Sequence, residues 1–111
     1  PVGAAEAVRR AAALAATSGG RVHVVTPGMV ELGSLQDQRN AELGQAVRDA
    51  GAATLIVVGR TNGDALRRGA SGGATEVTGV PTRQDGVRLV EQKSRPGDVV
   101  LFENDLPDHY P

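Results

Sequence analysis

The sequence predicts an α/β domain with an open, mostly parallel sheet flanked by helices. Two observations carry this. Short apolar runs rich in β-branched residues alternate along the chain with longer stretches at helical spacing, the pattern of βαβ units. One of these runs, Thr54-Leu55-Ile56-Val57-Val58, is continuously apolar, as expected of a central strand buried on both faces. A third observation points to one edge of the sheet. The Gly/Pro-punctuated segment Thr26-Pro27-Gly28-Met29-Val30-Glu31-Leu32-Gly33 leaves the carboxyl end of a strand, where open α/β sheets place their ligands.

The elements follow in order. The Ala-rich stretch from Val2 to Ala16 sets Ala5, Val8, Ala12 and Ala15 at helical spacing, and Ser18-Gly19-Gly20 stops it. Val22 to Val25 is the first strand. Ser34, with Asp37 three residues on, reads as a capping-box start. The helix it opens carries Leu35, Arg39, Leu43, Ala46, Val47 and Ala50 down one side until Gly51 ends it. After the apolar strand, Asn62 is expected to cap a short helix running through Arg68. Residues 69–73, with Gly69, Gly72 and Gly73, read as a flexible loop, and Thr75-Glu76-Val77 as a short strand. Thr82 with Asp85 caps a further helix whose Val87 and Val90 face inward. Pro96-Gly97-Asp98 turns the chain into the last strand, Val99-Val100-Leu101-Phe102.

Composition narrows the function classes. The 111 residues suit one domain, 1–111, with a modest core, and with aromatics at 2% that core must be aliphatic. So few aromatics leave no stacking platform for single-stranded nucleic acid. A net charge of −1, with no run of like charge, leaves no footprint for DNA, RNA or an anionic membrane. The absence of Cys removes disulfides and thiolate metal sites and fits a reducing cytoplasm. No stretch has the length of a bilayer span and no signal peptide is visible. The chain opens at Pro1 without Met, and with a helix where βαβ folds usually open with a strand. The expectation is a piece of a longer polypeptide, with simple loss of an initiator Met as the plainer account.

Catalytic signatures are missing. There is no Gly-x-x-x-x-Gly-Lys-Ser/Thr loop, no Gly-x-Gly-x-x-Gly after a strand and no Gly-x-Ser-x-Gly elbow. His23, alternating with valines in a strand, reads as structural or surface, and His109 as solvated in a polar tail. No residue is assigned a catalytic or metal-binding role. Because loops following parallel strands emerge at one end of the sheet, Glu31, Arg60, Thr61, Asn62, Glu103, Asn104 and Asp105 are expected to converge there, with residues 78–80 forming the loop after the third strand. Arg60 is suited to clamp a carboxylate or phosphate.

The loop at residues 26–33 resembles the Gly-x-Met-x-Glu-Leu-Gly loop in the C-terminal domain of Mur ligases, in particular the type that adds D-alanyl-D-alanine to UDP-N-acetylmuramoyl-tripeptide. The order of elements matches over nearly the whole chain, including the Ile-Val-Val-Gly strand end and the Gly-Asp-Val-Val-Leu segment. The resemblance implies a three-layer, Rossmann-like domain, the C-terminal substrate-binding and closing part of an ATP-dependent amide-bond-forming enzyme of bacterial peptidoglycan synthesis. In such enzymes a carboxylate activated by ATP as an acyl phosphate is attacked by an incoming amine. ATP and Mg2+ are then bound by an upstream central domain of the same cytoplasmic polypeptide, and this domain alone is expected to bind neither and to be inactive. The incoming amino acid or dipeptide is expected at Met29, Glu31, Arg60, Thr61, Asn62, Glu103, Asn104 and Asp105, with no nucleic acid and no membrane insertion involved. The chain departs from the D-alanyl-D-alanine type after its last strand, where Glu103-Asn104-Asp105-Leu106-Pro107 stands in place of a Lys-Gly-Ser-Arg-like segment. The alternatives are a free-standing, non-catalytic α/β binding module and a related ligase making a polyamino-acid or folate-glutamate amide.

Overall fold

A computed structural model describes residues 3–103. The order is α1 (Ala4–Ser18), β1 (Val22–Thr26), α2 (Gln36–Asp49), β2 (Thr54–Val58), α3 (Gly63–Ala70), β3 (Glu76–Val80), α4 (Arg83–Lys93) and β4 (Val99–Phe102). All strand pairs are parallel, in the spatial order β3-β2-β1-β4. The expected α/β class and parallel sheet are therefore observed. So is the central place of the continuously apolar strand, since β2 lies between β1 and β3.

Period-two alternation divides the strands between two faces. Val22, Val24, Leu55 and Val57 face α1, α2 and α3, where Val8, Leu43, Val47 and Leu66 complete the larger core. Val25 and Ile56 face α4, packing with Val90 and the partly buried Val58, Val80, Leu89 and Val100. The result is three layers, with three helices on one face and one on the other. The outer strands β3 and β4 contain no fully buried residue, whereas every residue of β1 is buried.

Helix α1 ends on Gly19 in the left-handed conformation (φ 73°), as its glycine signal predicts. Thr82 caps α4 by accepting the Asp85 N–H at 3.1 Å, again as expected. The start of α2 is different. A 3-10 turn over Gly33–Leu35 precedes it, and no side chain caps it, so the Ser34/Asp37 box does not form. Asp37 instead pairs with Arg68 of α3. Leu43 and Val47 of the expected stripe are buried and Ala46 and Ala50 half-buried, whereas at the start of the helix Leu35 and Arg39 are exposed and Asn40 is buried instead, with Gly44 buried beside Leu43.

Gly69 corrects a second expectation. It lies inside α3 rather than in a flexible loop, because α2 and α3 approach more closely than side chains permit. A Cβ on Gly69 would sit 1.8 Å from the Ala41 carbonyl oxygen, and one on Gly44 would sit 2.3 Å from that of Leu66. Strand β3 is also longer than expected, running to Val80. Residues 78–80 are therefore strand, and the chain leaves the sheet at Pro81.

His23 is fully buried at the opposite, amino-terminal end of the sheet, which settles the structural alternative. Its Nδ1 is 2.7 Å from Thr54 Oγ1 and its Nε2 2.8 Å from Asp98 Oδ2. Asp98 also accepts the backbone N–H groups of Arg21 and Arg95 at 2.8 and 3.0 Å. The Arg21 N–H, then His23 and the Arg95 N–H, hold the Asp98 carboxyl well below the usual carboxylate range. Its side chain is 5% exposed, so this knot ties the turn before β4 to the start of β1 away from solvent.

Two outcomes are expected. An Ala at Gly44 or Gly69 gains about 1 kcal/mol of helix propensity. It also meets a backbone carbonyl that cannot rotate away, and overpacking of that kind costs typically about 1–3 kcal/mol. Gly44→Ala and Gly69→Ala should therefore each lower the urea midpoint; a raised midpoint would contradict the packing. For Asp98, a folded pKa below the unfolded one means that its stabilisation is complete above about pH 4 and is lost as pH falls further. Asp98→Asn should destabilise the domain at pH 7 and show a shallower loss of stability between about pH 4 and pH 2, measured by denaturant titration at each pH.

Candidate substrate-binding edge

The segment that leaves β1 is held by side chains rather than by regular structure. Thr26 Oγ1 accepts the Gly28 N–H at 2.9 Å, closing a tight turn. Asn40, fully buried on the first turns of α2, accepts the Met29 N–H at 2.7 Å. Its Nδ2 donates to the carbonyls of Met29 and Gln36, both at 2.9 Å. Asn62 reaches the same stretch from the other side. Its Nδ2 donates to the Pro27 carbonyl at 3.0 Å and the Met29 carbonyl at 3.2 Å, while its Oδ1 accepts from Gln36 Nε2 at 2.9 Å.

Gly28 passes between the two asparagines with φ 82°, and a Cβ there would lie 2.6 Å from Asn40 Oδ1 and 2.8 Å from Asn62 Cβ. Only glycine meets both the backbone angle and the space. Among the described residues no buried side-chain polar atom lacks a hydrogen-bond partner, so this polar cluster is complete.

Asn62 occupies the residue before α3, as expected, yet it makes no side-chain cap. Its amide is spent on the loop instead, which corrects the capping expectation. At 4% exposure it acts by positioning residues 27–29. Met29 is brought against it, half-buried and packed on the larger core. Glu31 follows the pinned stretch and is exposed, with φ 64°; it is the one non-glycine residue of positive φ among the described residues. Such a conformation is a strain held in place by its surroundings.

Arg60 and Thr61 are exposed in the loop after β2. Glu103 donates its backbone N–H to the Val25 carbonyl at 2.9 Å, extending β4 along β1. Asn104 and Asp105, like His109, lie outside the described residues. Thus the structure joins Met29 and Asn62 directly, sets Arg60 in the same loop as Asn62, and places Glu31 and Glu103 on the same carboxyl edge.

Beside Asn62 a cleft of about 520 Å³ opens between α3 and the ends of β2 and β3. Arg60, Asp64 and Arg67 line it together with Gly59, Gly79 and Pro81. No group of three or more His, Asp or Glu side chains among the described residues converges as a metal centre would require. The edge's chemistry is that of guanidinium, amide and single carboxylate groups.

Asn40 and Gln36 escaped the sequence reading. The signal was present: Gln36, Asn40, Leu43 and Val47 share one helical face, and an Asn among buried apolar positions marks a polar cluster.

Asn40→Ala would leave the Met29 N–H without its partner. An unsatisfied buried group costs about 1–3 kcal/mol, and hydrogen exchange at the Met29 amide should accelerate markedly. Glu31→Gly should be neutral or stabilising by up to about 1 kcal/mol, since glycine relieves the positive φ. A clear loss of stability in Glu31→Gly would mean that its side chain supports the fold.

The family model described as Mur ligase, glutamate ligase domain matches residues 1–103. No curated protein and no solved structure matches the chain. The match spans all four strands and four helices, the pinned loop and the cleft. With the parallel Rossmann-like sheet, it places the chain in the Mur ligase family, as its C-terminal domain.

Proposed function

We propose that this domain is the closing, substrate-holding part of an ATP-dependent ligase that forms an amide bond in peptidoglycan precursor synthesis. The family match over residues 1–103 carries the reading. On it, ATP and Mg2+ are held by an upstream central domain of the same bacterial, cytoplasmic polypeptide. Phosphoryl transfer from ATP turns a substrate carboxylate into an acyl phosphate and releases ADP. The amine of the incoming amino acid or dipeptide attacks the acyl carbon, phosphate departs with the C–O bonding pair, and the amine's proton goes to solvent.

The contribution of this chain is to bind, orient and exclude water. An acyl phosphate hydrolyses if water reaches it, so closure of a second domain protects the intermediate. A loop that closes over it must hold its shape, and the Asn40 and Asn62 amides supply that rigidity to residues 27–29. Glu31 then presents a carboxylate from a fixed backbone position, and Arg60 and Thr61 flank it from the next loop. Glu103 stands at the same edge, and Asn104 and Asp105, outside the described residues, are assigned to the substrate by the resemblance. The Gly-x-Met-x-Glu-Leu-Gly pattern favours a cell-wall ligase over folate-glutamate or polyamino-acid types. The acidic 103–105 segment weighs against D-alanyl-D-alanine as the incoming amine. Among the described residues no helix is long and apolar enough to cross a membrane.

The test uses the polypeptide that joins this domain to its nucleotide-binding domain, assayed for amine-dependent ADP release. Glu31→Gly and Glu31→Gln should each lower turnover at least tenfold without loss of thermal stability. Unchanged turnover in both would remove Glu31 from the site. ADP release that is indifferent to every amine offered would remove the ligase reading itself.

A further inference from the structure

Charged side chains on this surface are mostly paired. Arg9, Arg10, Arg21, Arg39, Arg48, Arg68 and Arg88 all lie within ion-pair distance of a carboxylate. Two exposed side chains of α3 are different. Asp64 and Arg67 line the cleft beside β3, yet neither has a hydrogen-bonding or ion-pair partner for its side chain among the described residues. They stand three apart on one helical face, a spacing at which opposite charges commonly join, but these two do not.

The strand beneath them is open as well. β3 ends the sheet, so one row of its backbone groups has no ladder to join. The Glu76 N–H donates to the Ala53 carbonyl, and the Val80 carbonyl accepts the Gly59 N–H. Residues 76, 78 and 80 therefore turn their backbone groups to β2, and by alternation Val77 and Gly79 turn theirs outward. Protein edges are usually blunted by charged side chains or proline. Here both outward residues are neutral, and the charge of Glu76 is taken up by Lys93 at 2.7 Å. Gly79 presents bare backbone, with Arg67 above it: a Cβ there would lie 3.0 Å from Arg67 Nη2.

We propose that this edge pairs with the same edge of a second copy of the chain, about a two-fold axis at Thr78. A contact of that symmetry must be complementary to itself, and the residues here are. Antiparallel pairing centred on Thr78 sets Val77 opposite the partner's Gly79. Those are the residues whose N–H and carbonyl groups point outward, so they form the hydrogen-bonded pairs of the new ladder. A branched side chain then lies beside a bare backbone, and Thr78 meets the partner's Thr78, a favourable cross-strand pair. The same axis sets Asp64 against the partner's Arg67, and Arg67 against the partner's Asp64. The level of the helix over the strand fits this. A Cβ on Gly63 would lie 3.9 Å from Val57 Cγ1, and Val57 pairs in register with Gly79. From Gly63 the midpoint of Asp64 and Arg67 lies about 4 Å along the helix. Thr78 lies about 3.3 Å from Gly79 in the same direction, so one axis serves both elements. The loop at residues 27–29 leaves β1, two strands in from this edge, and stays uncovered. The proposal does not depend on the ligase reading.

The experiment is sedimentation equilibrium of the 111-residue chain over a concentration series, with charge reversal on α3. A five-residue strand and a short helix make a small interface, so a monomer–dimer equilibrium with Kd on the order of 0.1 mM is expected, weakened by salt. Arg67→Glu and Asp64→Lys should each weaken self-association at least tenfold, because like charges then face each other. Mixed in equal amounts, the two variants should associate again, since each meets the opposite charge on the other. A variant that had merely lost its fold could not be rescued in this way. At high concentration, hydrogen exchange of the Val77 and Gly79 amides should slow.

A chain that stays monomeric at about 1 mM would overturn the proposal. So would self-association that both charge reversals leave unchanged, or mixed variants that fail to associate. Exchange also separates the two edges of the sheet. In β4 the Val99 and Glu103 N–H groups bond to β1, so Val100 and Phe102 face outward. Slowed exchange at Val100 and Phe102, with Val77 and Gly79 unaffected, would place the contact on the opposite edge and overturn the assignment.

Discussion

Asn40 and Asn62, closing on Gly28 and Met29, form the contact on which the carboxyl edge depends. A loop leaving a parallel strand has no ladder to join, so its backbone groups need other partners. Asn40 meets the Met29 N–H and carbonyl together, and Asn62 meets the Pro27 and Met29 carbonyls. Gln36 links the two amides, donating to one side chain and offering its carbonyl to the other. Three elements thereby share one cluster: the loop after β1, the first turn of α2 and the loop before α3. Burying so many amide groups is tolerable only because each is satisfied.

The same cluster needs its helices close together. Gly44 and Gly69 allow α2 and α3 to meet backbone to backbone, with carbonyls of Ala41 and Leu66 where side chains would otherwise stand. That approach keeps Asn40 and Asn62 on two sides of one short segment. Gly28 is the third small residue in this arrangement, and there the requirement is double, since both a positive φ and the absence of a Cβ are needed. Glu31, two residues past the clamp, carries a positive φ without glycine's freedom. Strain at an exposed acid in a fixed loop is the kind that binding edges retain.

The two ends of the sheet treat charge in opposite ways. At the amino end His23, Thr54 and Asp98 are buried in mutual hydrogen bonds, and backbone N–H groups complete the shell around the carboxylate. Among the described residues no buried side-chain polar atom there lacks a partner. At the carboxyl end Arg60, Asp64 and Arg67 stand in an open cleft without protein partners among the described residues. An ion pair closed within the fold contributes to stability, whereas one left open is available for recognition. The difference separates a closed polar end of the sheet from an open one.

The sequence by itself determined the α/β class, the parallel sheet and the central place of Thr54–Val58. Those follow from local periodicity and from the length of the apolar runs, which any folded context must respect. It also located the edge at residues 26–33, since Pro27 and Gly28 break the strand wherever the chain is placed. Tertiary structure alone decided what the polar residues do. Asn62 precedes a helix and carries the signature of a cap, yet a buried carbonyl next to it was the stronger claimant for its amide. Gly69 reads as loop because local propensity registers its flexibility and not the helix pressed against it. Asn40 lay one residue off the assumed stripe at the start of α2. In each case the partner is distant in sequence: Pro27 lies 35 residues from Asn62, and spacing along a chain cannot specify which distant group it will meet.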